Sequence, residues 1–324
     1  MSGTATGAKR VPFPVRLSAI PHGGSIAIIL ALCVAGRVVT PSFLSESNLW
    51  AVLSISAVLA VASAGQTLVV ISGSQGIDLS VGSIMTLSAL MVSGMAGSSD
   101  AELPVAIATV AIVGLLIGLV NGLGVRFLGL YPLVVTLGVS FVVEGAALVY
   151  AQTRPPSMPA PIIDALGIGR FLGVPWAVII GAILVLLMTV LLRYSRFGRQ
   201  LYLVGSNVKA AQSAGIPVSK VLLLTYALSG LLAAMAGVLL YGFVGSVNLS
   251  IGATYTMMSI AAVVIGGCAL SGGTGTFIGT VLGAIIFSLL TNFFITLGLS
   301  SALRYSTSGL VLILVLFATS RDKN

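Results

Sequence analysis

Long apolar stretches alternate with short polar ones along this chain, and nearly all of the few charges fall in the polar ones. A hydrocarbon core about 30 Å thick is crossed by about 20 apolar helical residues. Uncharged runs cover residues 17–36, 47–77, 79–99, 103–125, 127–143, 171–192 and 305–320, and each predicts one span. Residues 221–303 are also uncharged and too long for one or two helices. Glycine and polar clusters at 242–248 and 271–276 divide them into three. The pattern therefore predicts an all-α integral membrane protein of about ten transmembrane helices, with residues 1–324 as one domain.

Ten is even, so both termini share a side. With the N-terminus inside, the inner segments hold Lys9, Arg10, Arg16, Arg126, Arg193, Arg196, Arg199, Lys209, Lys220, Arg321 and Lys323. The outer ones keep only Arg37, Arg154, Arg170 and Arg304. This asymmetry follows the positive-inside rule and places both ends in the cytoplasm, residues 1–16 forming a basic tail. The apolar run after Arg16 reads as a first anchor rather than a cleaved signal.

Composition removes other classes. Of 324 residues 57% are hydrophobic and 7% charged, against about a quarter charged in a soluble domain. The net charge of +8 is spent on loop orientation rather than nucleic acid. Cys33 and Cys268 both lie in apolar stretches and make no disulfide framework. No lysine sits in a Gly-Lys-Ser/Thr phosphate loop, and His22 is the single histidine, so neither a triad nor a metal site is expected. If ATP drives this protein, another chain hydrolyses it.

Two segments do not read as plain lipid-facing helix. The first, Ser72-Gly73-Ser74-Gln75-Gly76-Ile77-Asp78-Leu79-Ser80-Val81-Gly82-Ser83, breaks an apolar stretch with glycines, serines and a carboxylate. Broken backbone at membrane depth is tolerated only where protein buries it or water fills a cavity. Asp78 fits either a cap on the following helix or a group that moves between states. The second, residues 193–217, is the longest polar stretch between spans. Asn207 suits an N-cap, residues 208–214 two turns of helix, Gly215 the left-handed end and Pro217 the stop. Ala210, Ala211 and Ala214 would give this short helix a small-residue face that docks into a partner's groove. Gly114, Gly118 and Gly122, and likewise Gly275, Gly279 and Gly283, recur every four residues and predict close helix packing. Glu144, toward the outer end of the fifth span, faces a polar path, pairs with Arg154 or reaches the interface.

Several blocks resemble one family in order along the chain. They are Gly76-Ile77-Asp78-Leu79-Ser80-Val81-Gly82-Ser83, Asn121-Gly122, Val135-Thr136-Leu137-Gly138, Arg196-Phe197-Gly198-Arg199-Gln200-Leu201-Tyr202 with Gly205-Ser206-Asn207, and Val263-Val264-Ile265-Gly266-Gly267 with Leu270-Ser271-Gly272-Gly273. The chain resembles the permease subunits of bacterial ABC importers of the ribose/xylose/arabinose/galactoside type, over roughly residues 50 to 318. The resemblance implies a type II importer-like permease in the inner membrane, paired with a second copy or a paralogue. It implies two cytoplasmic ATP-binding subunits or one fused tandem ATPase, which hold the ATP and Mg, and a periplasmic sugar-binding protein. No cofactor and no catalytic residue is expected in this chain.

The resemblance also assigns 193–217 as the ATPase-coupling element, with Arg196, Phe197, Gly198, Gln200 and Asn207 joined by Ala210, Ala211, Ala214 and Gly215. Pathway or gate candidates are Gln75, Gly76, Asp78 and Ser80, then Asn121 and Thr136, then Ser271, Gly272 and Gly273. The chain departs from the family at Gln75 and at Tyr131-Pro132-Leu133, near the expected path, where the identity of the sugar is at stake. Loaded binding protein would dock on loops 152–175 and 242–254. The rivals are a nucleoside-type ABC permease and a proton-coupled secondary transporter using Asp78 or Glu144. The latter usually shows inverted repeats and longer acid or histidine relays than two isolated carboxylates.

Overall fold

The computed structural model describes residues 22–300 together with Ala302, Leu303, Ser306, Gly309 and Leu310. The basic tail 1–16, and most of the tenth expected span at 305–320, lie outside the described residues. Among the described residues, apolar helices lie over the other nine uncharged runs: α1 (Gly23–Val39), α2 (Glu46–Ile71), α3 (Val81–Ala96), α4 (Leu103–Phe127), α5 (Pro132–Thr153), α7 (Trp176–Tyr194), α10 (Val218–Val244), α11 (Ala253–Ile265) and α12 (Phe277–Thr296). Six of these are long and apolar enough to cross a membrane, whereas α1, α3 and α11 are shorter. Local chemistry sets their ends. Ser45 and Thr276 accept the third amide of α2 and α12, prolines open α4 and α5, and Gly245 closes α10 in the left-handed region.

Two expectations need correction, and the fifth span extends well past the uncharged run 127–143 that predicts it. It runs on to Thr153, because Glu144 accepts from Ser140 Oγ one turn back (3.2 Å) and leaves the helix unbroken. Arg154 donates instead to Gly94 O (3.4 Å) rather than pairing with Glu144. The stretch 154–175 carries its own structure: α6 (Pro161–Ile168) and a two-residue antiparallel hairpin of β1 (Arg170–Phe171) and β2 (Val174–Pro175). Residues 193–217 hold two helices, α8 (Arg196–Ser206) and α9 (Val208–Ser213), rather than one.

Helices α2 and α10 form the centre of the bundle. From Ser56 to Ile71 every residue of α2 is buried, as expected of a helix that is apolar all round. Glycines permit the closest approaches. A methyl on Gly118 would strike Tyr226 O of α10, and one on Gly65 would lie 2.6 Å from Ser229 Cα. Gly279 and Gly283 likewise meet α11 at Gly266 and Ala262. The predicted close packing of both glycine series is found, although Gly275 precedes α12 and packs on Cys268.

The second half of the bundle repeats the first upside down. The last turn of α2 and the first turns of α10 both lie at the end that carries α8 and α9, so these two helices run in opposite directions. Each is followed by a break and a short helix: Asp78-Leu79-Ser80-Val81-Gly82 opens α3, and Asn248-Leu249-Ser250-Ile251-Gly252 opens α11. The turns share their bonds. Ser80 N and Oγ donate to Asp78 Oδ1 (3.0 and 2.6 Å), and Ser250 N and Oγ donate to Asn248 Oδ1 (2.9 and 2.9 Å). The two helix starts then meet. Gly82 N donates to Thr256 Oγ1 (3.0 Å) and Gly252 N to Thr86 Oγ1 (3.1 Å). Free amides of two N-termini thus satisfy each other through a threonine one turn inside the opposite helix. Packing follows the same symmetry, α4 lying on α10 as α12 lies on α2.

Candidate functional site

The break after α2 begins with three left-handed residues, Gly73 (φ 82°), Ser74 (φ 54°) and Gln75 (φ 56°). A serine and a glutamine in this region carry backbone strain, a feature that clusters at functional sites. The turn reverses the chain, and Gly76 to Ser80 climb back beside α2. A side chain at Gly76 would strike Val69 O. With its amide oriented to suit both partners, Gln66 donates to Asp78 O (3.1 Å) and accepts from Asp78 N (3.3 Å). The segment therefore re-enters the bundle before α3 starts.

Asp78 is fully buried at that point. Its carboxylate accepts from Ser80 N and Oγ on one oxygen and from Ser229 Oγ of α10 on the other (2.8 Å). Asn121 Nδ2 of α4 donates to Ser80 Oγ (2.8 Å), and Thr136 Oγ1 of α5 accepts from Leu79 N (3.0 Å). Asn121 Oδ1 is buried with no hydrogen-bond partner among the described residues. A carboxylate in a low-dielectric interior costs several kcal/mol, and each bond to a charged acceptor returns about 1.5–3 kcal/mol. The three donors offset part of that cost.

The second constellation lies at the same end of the bundle. Ser195 accepts from Gly198 N (2.9 Å) to start α8, and Gly198 is buried because a side chain would strike Leu191 O and Leu192 O. Asn207 accepts from Ala210 N (3.0 Å) to start α9. Ile216 N reaches back to Ala211 O (3.0 Å) across Gly215 at φ 75°, the hydrogen-bonded left-handed ending that the sequence predicts. Arg196, Ala210 and Ala214 are exposed, and Phe197 and Gln200 are half-buried. Ala211 is 4% exposed and belongs to the bundle's own core. It cannot share an outward face with Ala210 and Ala214, because a helix that short turns one side to its supporting spans. Tyr202 Oη donates to Gly275 O (2.7 Å), and burial, with the nearby Cys268 thiol, pushes that phenol above its ordinary pKa.

The family model for the permease component of branched-chain amino acid transport systems matches residues 48–316. This chain belongs to that family. The permease is 33% identical over 303 residues to the ribose import permease protein RbsC of Escherichia coli strain K12, covering 92% of this chain and 94% of the relative. It is 32% identical to the galactose/methyl galactoside import permease protein MglC of the same strain, covering 94% and 95%. It is 33% identical to the autoinducer 2 import system permease protein LsrD of Yersinia enterocolitica, covering 78% of each chain. No solved structure matches it. The permease is a multi-pass membrane protein of the transport class, and the inverted repeat found here consequently does not single out secondary transporters.

In this permease the pathway candidates divide between two places. Gly76, Asp78, Ser80, Asn121 and Thr136 share the buried knot, and Gln75 stands exposed at its rim. Gly272 and Gly273 lie instead against Gly73, Gly205 and Ser206, beside the coupling candidates, and Ser271 precedes them in the same loop. A cavity of about 400 Å³ opens at the start of the break, lined by Ser72 to Gln75, Arg126, Tyr131, Val208 and Tyr226. Gln66, Ser229, Thr86, Thr256 and Gly205 also belong to this machinery. Each polar one is an uncharged polar residue within an apolar helix, which is the signal the sequence offers for it. Glu144 stands exposed on the face of α5 that also exposes Phe141, Val142 and Leu148.

Proposed function

We propose that this chain is the transmembrane permease subunit of an ABC importer that carries a pentose, hexose or related polyol across the bacterial inner membrane. The observation that carries the reading is the capped pair α8–α9, which stands at one end of the bundle in direct contact with the break that leads to Asp78. A partner ATPase pressing on Ala210 and Ala214 would move that break without any nucleotide site in this chain. Coverage of more than nine-tenths of permeases named for ribose and galactoside import supports the sugar class. Glu144 supports pairing with a second permease. An ionisable group exposed in mid-span is costly against lipid and is better met by a partner or a watered path. ATP and Mg belong to the partner, and a binding protein delivers the sugar to loops 152–175 and 242–254.

The test is uptake of labelled ribose and galactosides into proteoliposomes holding this chain, its ATPase and its binding protein. Uptake is expected only with all three and ATP. Uptake by this chain alone under a proton gradient would overturn the reading and favour a secondary transporter. Uptake of nucleosides but not sugars would move the substrate class. Ala214→Arg, placed on the exposed side of α9, is expected to lower uptake about tenfold or more at normal insertion. Unchanged uptake would remove α9 from the ATPase contact.

A further inference from the structure

Three segments far apart in sequence meet backbone to backbone where α8 ends. Gly205 lies in the last turn of α8, Gly73 opens the break after α2, and Gly272 and Gly273 lie in the loop before α12. A methyl on Gly205 would strike Ile71 O and stand 2.6 Å from Gly273 N. One on Gly73 would stand 2.7 Å from Gly205 O, and one on Gly272 would strike Gly73 Cα and stand 2.9 Å from Gly205 O. Every atom met is backbone, so no rotamer change makes room. Glycine surfaces alone could equally let helices slide, but two hydrogen bonds cross the junction. Gly273 N donates to Ile71 O (2.9 Å) and Tyr202 Oη to Gly275 O (2.7 Å). Gly73, Gly272 and Gly273 also sit at φ 82°, 89° and 72°, where a side chain is strained.

We infer that Gly73, Gly205 and Gly272 weld α8–α9, the break after α2 and the loop before α12 into one block, and that Gly205 is a positioning residue for transport. The inference rests on the coupling role proposed above. Displacement of α8–α9 then reaches Asp78 through Ile71 to Gly76, and reaches α12 through Gly275 and Phe277, with no intervening side chain to absorb it. Interiors are close-packed and switch between discrete arrangements rather than bending continuously. A block so joined moves as a unit.

Two measurements on the reconstituted complex test this. Gly205→Ala wedges the junction and is expected to raise the ATP consumed per sugar imported about tenfold or more. An unchanged ratio at normal uptake would overturn the inference. Since this variant could fail to assemble, the second measurement uses the exposed serines flanking the junction. Ser74→Cys with Ser206→Cys, in a chain carrying Cys33→Ser and Cys268→Ser, is bridged by a short bis-methanethiosulfonate reagent, each cysteine thiolate displacing one methanesulfinate to form a reducible disulfide. A welded block keeps its uptake when bridged. Loss of uptake on bridging, restored by reductant, would show that the segments slide and would overturn the inference. If the parent complex imports no sugar with ATP, the proposed function fails instead, and that result is read before either variant.

Discussion

At Asp78 the Asx-Leu-Ser turn is sealed among α2, α4, α5 and α10, whereas at Asn248 the same turn stands exposed. Local sequence and local hydrogen bonds are nearly identical in the two places. The difference lies in what the surrounding helices bring. Around Asp78 they supply Gln66, Ser229, Asn121 and Thr136, and around Asn248 the turn's side chains bond, among the described residues, within the turn itself. The lesson is that a turn motif fixes backbone shape, and its energetic weight comes from burial. In the open a neutral amide suffices. In the knot the carboxylate uses both oxygens.

Asp78→Ala should break this contrast most severely. It leaves three donors without acceptors in a dry interior, and each costs about 1–3 kcal/mol. We expect little correctly inserted protein, measured as the monodisperse fraction after detergent extraction. Yield equal to the parent would mean that the knot does not hold the break. Next in size are Thr86→Val and Thr256→Val. Each strips one glycine amide of its acceptor at the crossing of the repeats, at about 1–3 kcal/mol. If the symmetry is real in energy, the two should lower the unfolding temperature alike, and a large disparity would confine it to geometry.

Asp78→Asn should be milder. The remaining Oδ1 still accepts from Ser80, and the new Nδ2 faces Ser229 Oγ, which can accept in turn. A loss of about 0.5–2 kcal/mol with transport retained is the expected result for a structural turn. Abolished uptake at normal expression would give the charge itself a switching role. Asn248→Ala is expected to matter least, within about 0.5 kcal/mol, as for other exposed positions. A destabilisation as large as that of Asp78→Asn would show that the outer turn is covered in the working assembly.

Much of this fold is legible in the sequence because hydrophobic runs and their glycine breaks report directly on spans. The clusters 242–248 and 271–276 predict where α10, α11 and α12 separate, and Asn207, Gly215 and Pro217 predict α9 through capping chemistry alone. Depth is not legible. Nothing in Ser72 to Ser80 distinguishes a turn outside the membrane from one that climbs back beside α2, because that choice is made by Gln66 and Ser229 on other helices. Helix α8 is hidden by its charges, which interrupt the hydropathy signal without interrupting the helix. The direction of Ala211 depends on which side of α9 meets the core, information held in α10 and α12. The repeat is visible by setting residues 78–82 against 248–252, although only five positions carry it.

The reciprocal Gly82–Thr256 and Gly252–Thr86 bonds also impose an order on biosynthesis. Helix α11 has 13 residues, about 20 Å at 1.5 Å per residue, too short to cross the bilayer alone. When the ribosome has released α2 to α5, the amide at the start of α3 has no acceptor, because its partner lies some 170 residues downstream in the unsynthesised half. The first half therefore waits in the membrane with its centre unfinished until Thr256 arrives. The short α11 enters beside it rather than as an independent span. A chain truncated before residue 252 should be held by insertion chaperones and cleared by membrane proteases, although every span it contains is already made.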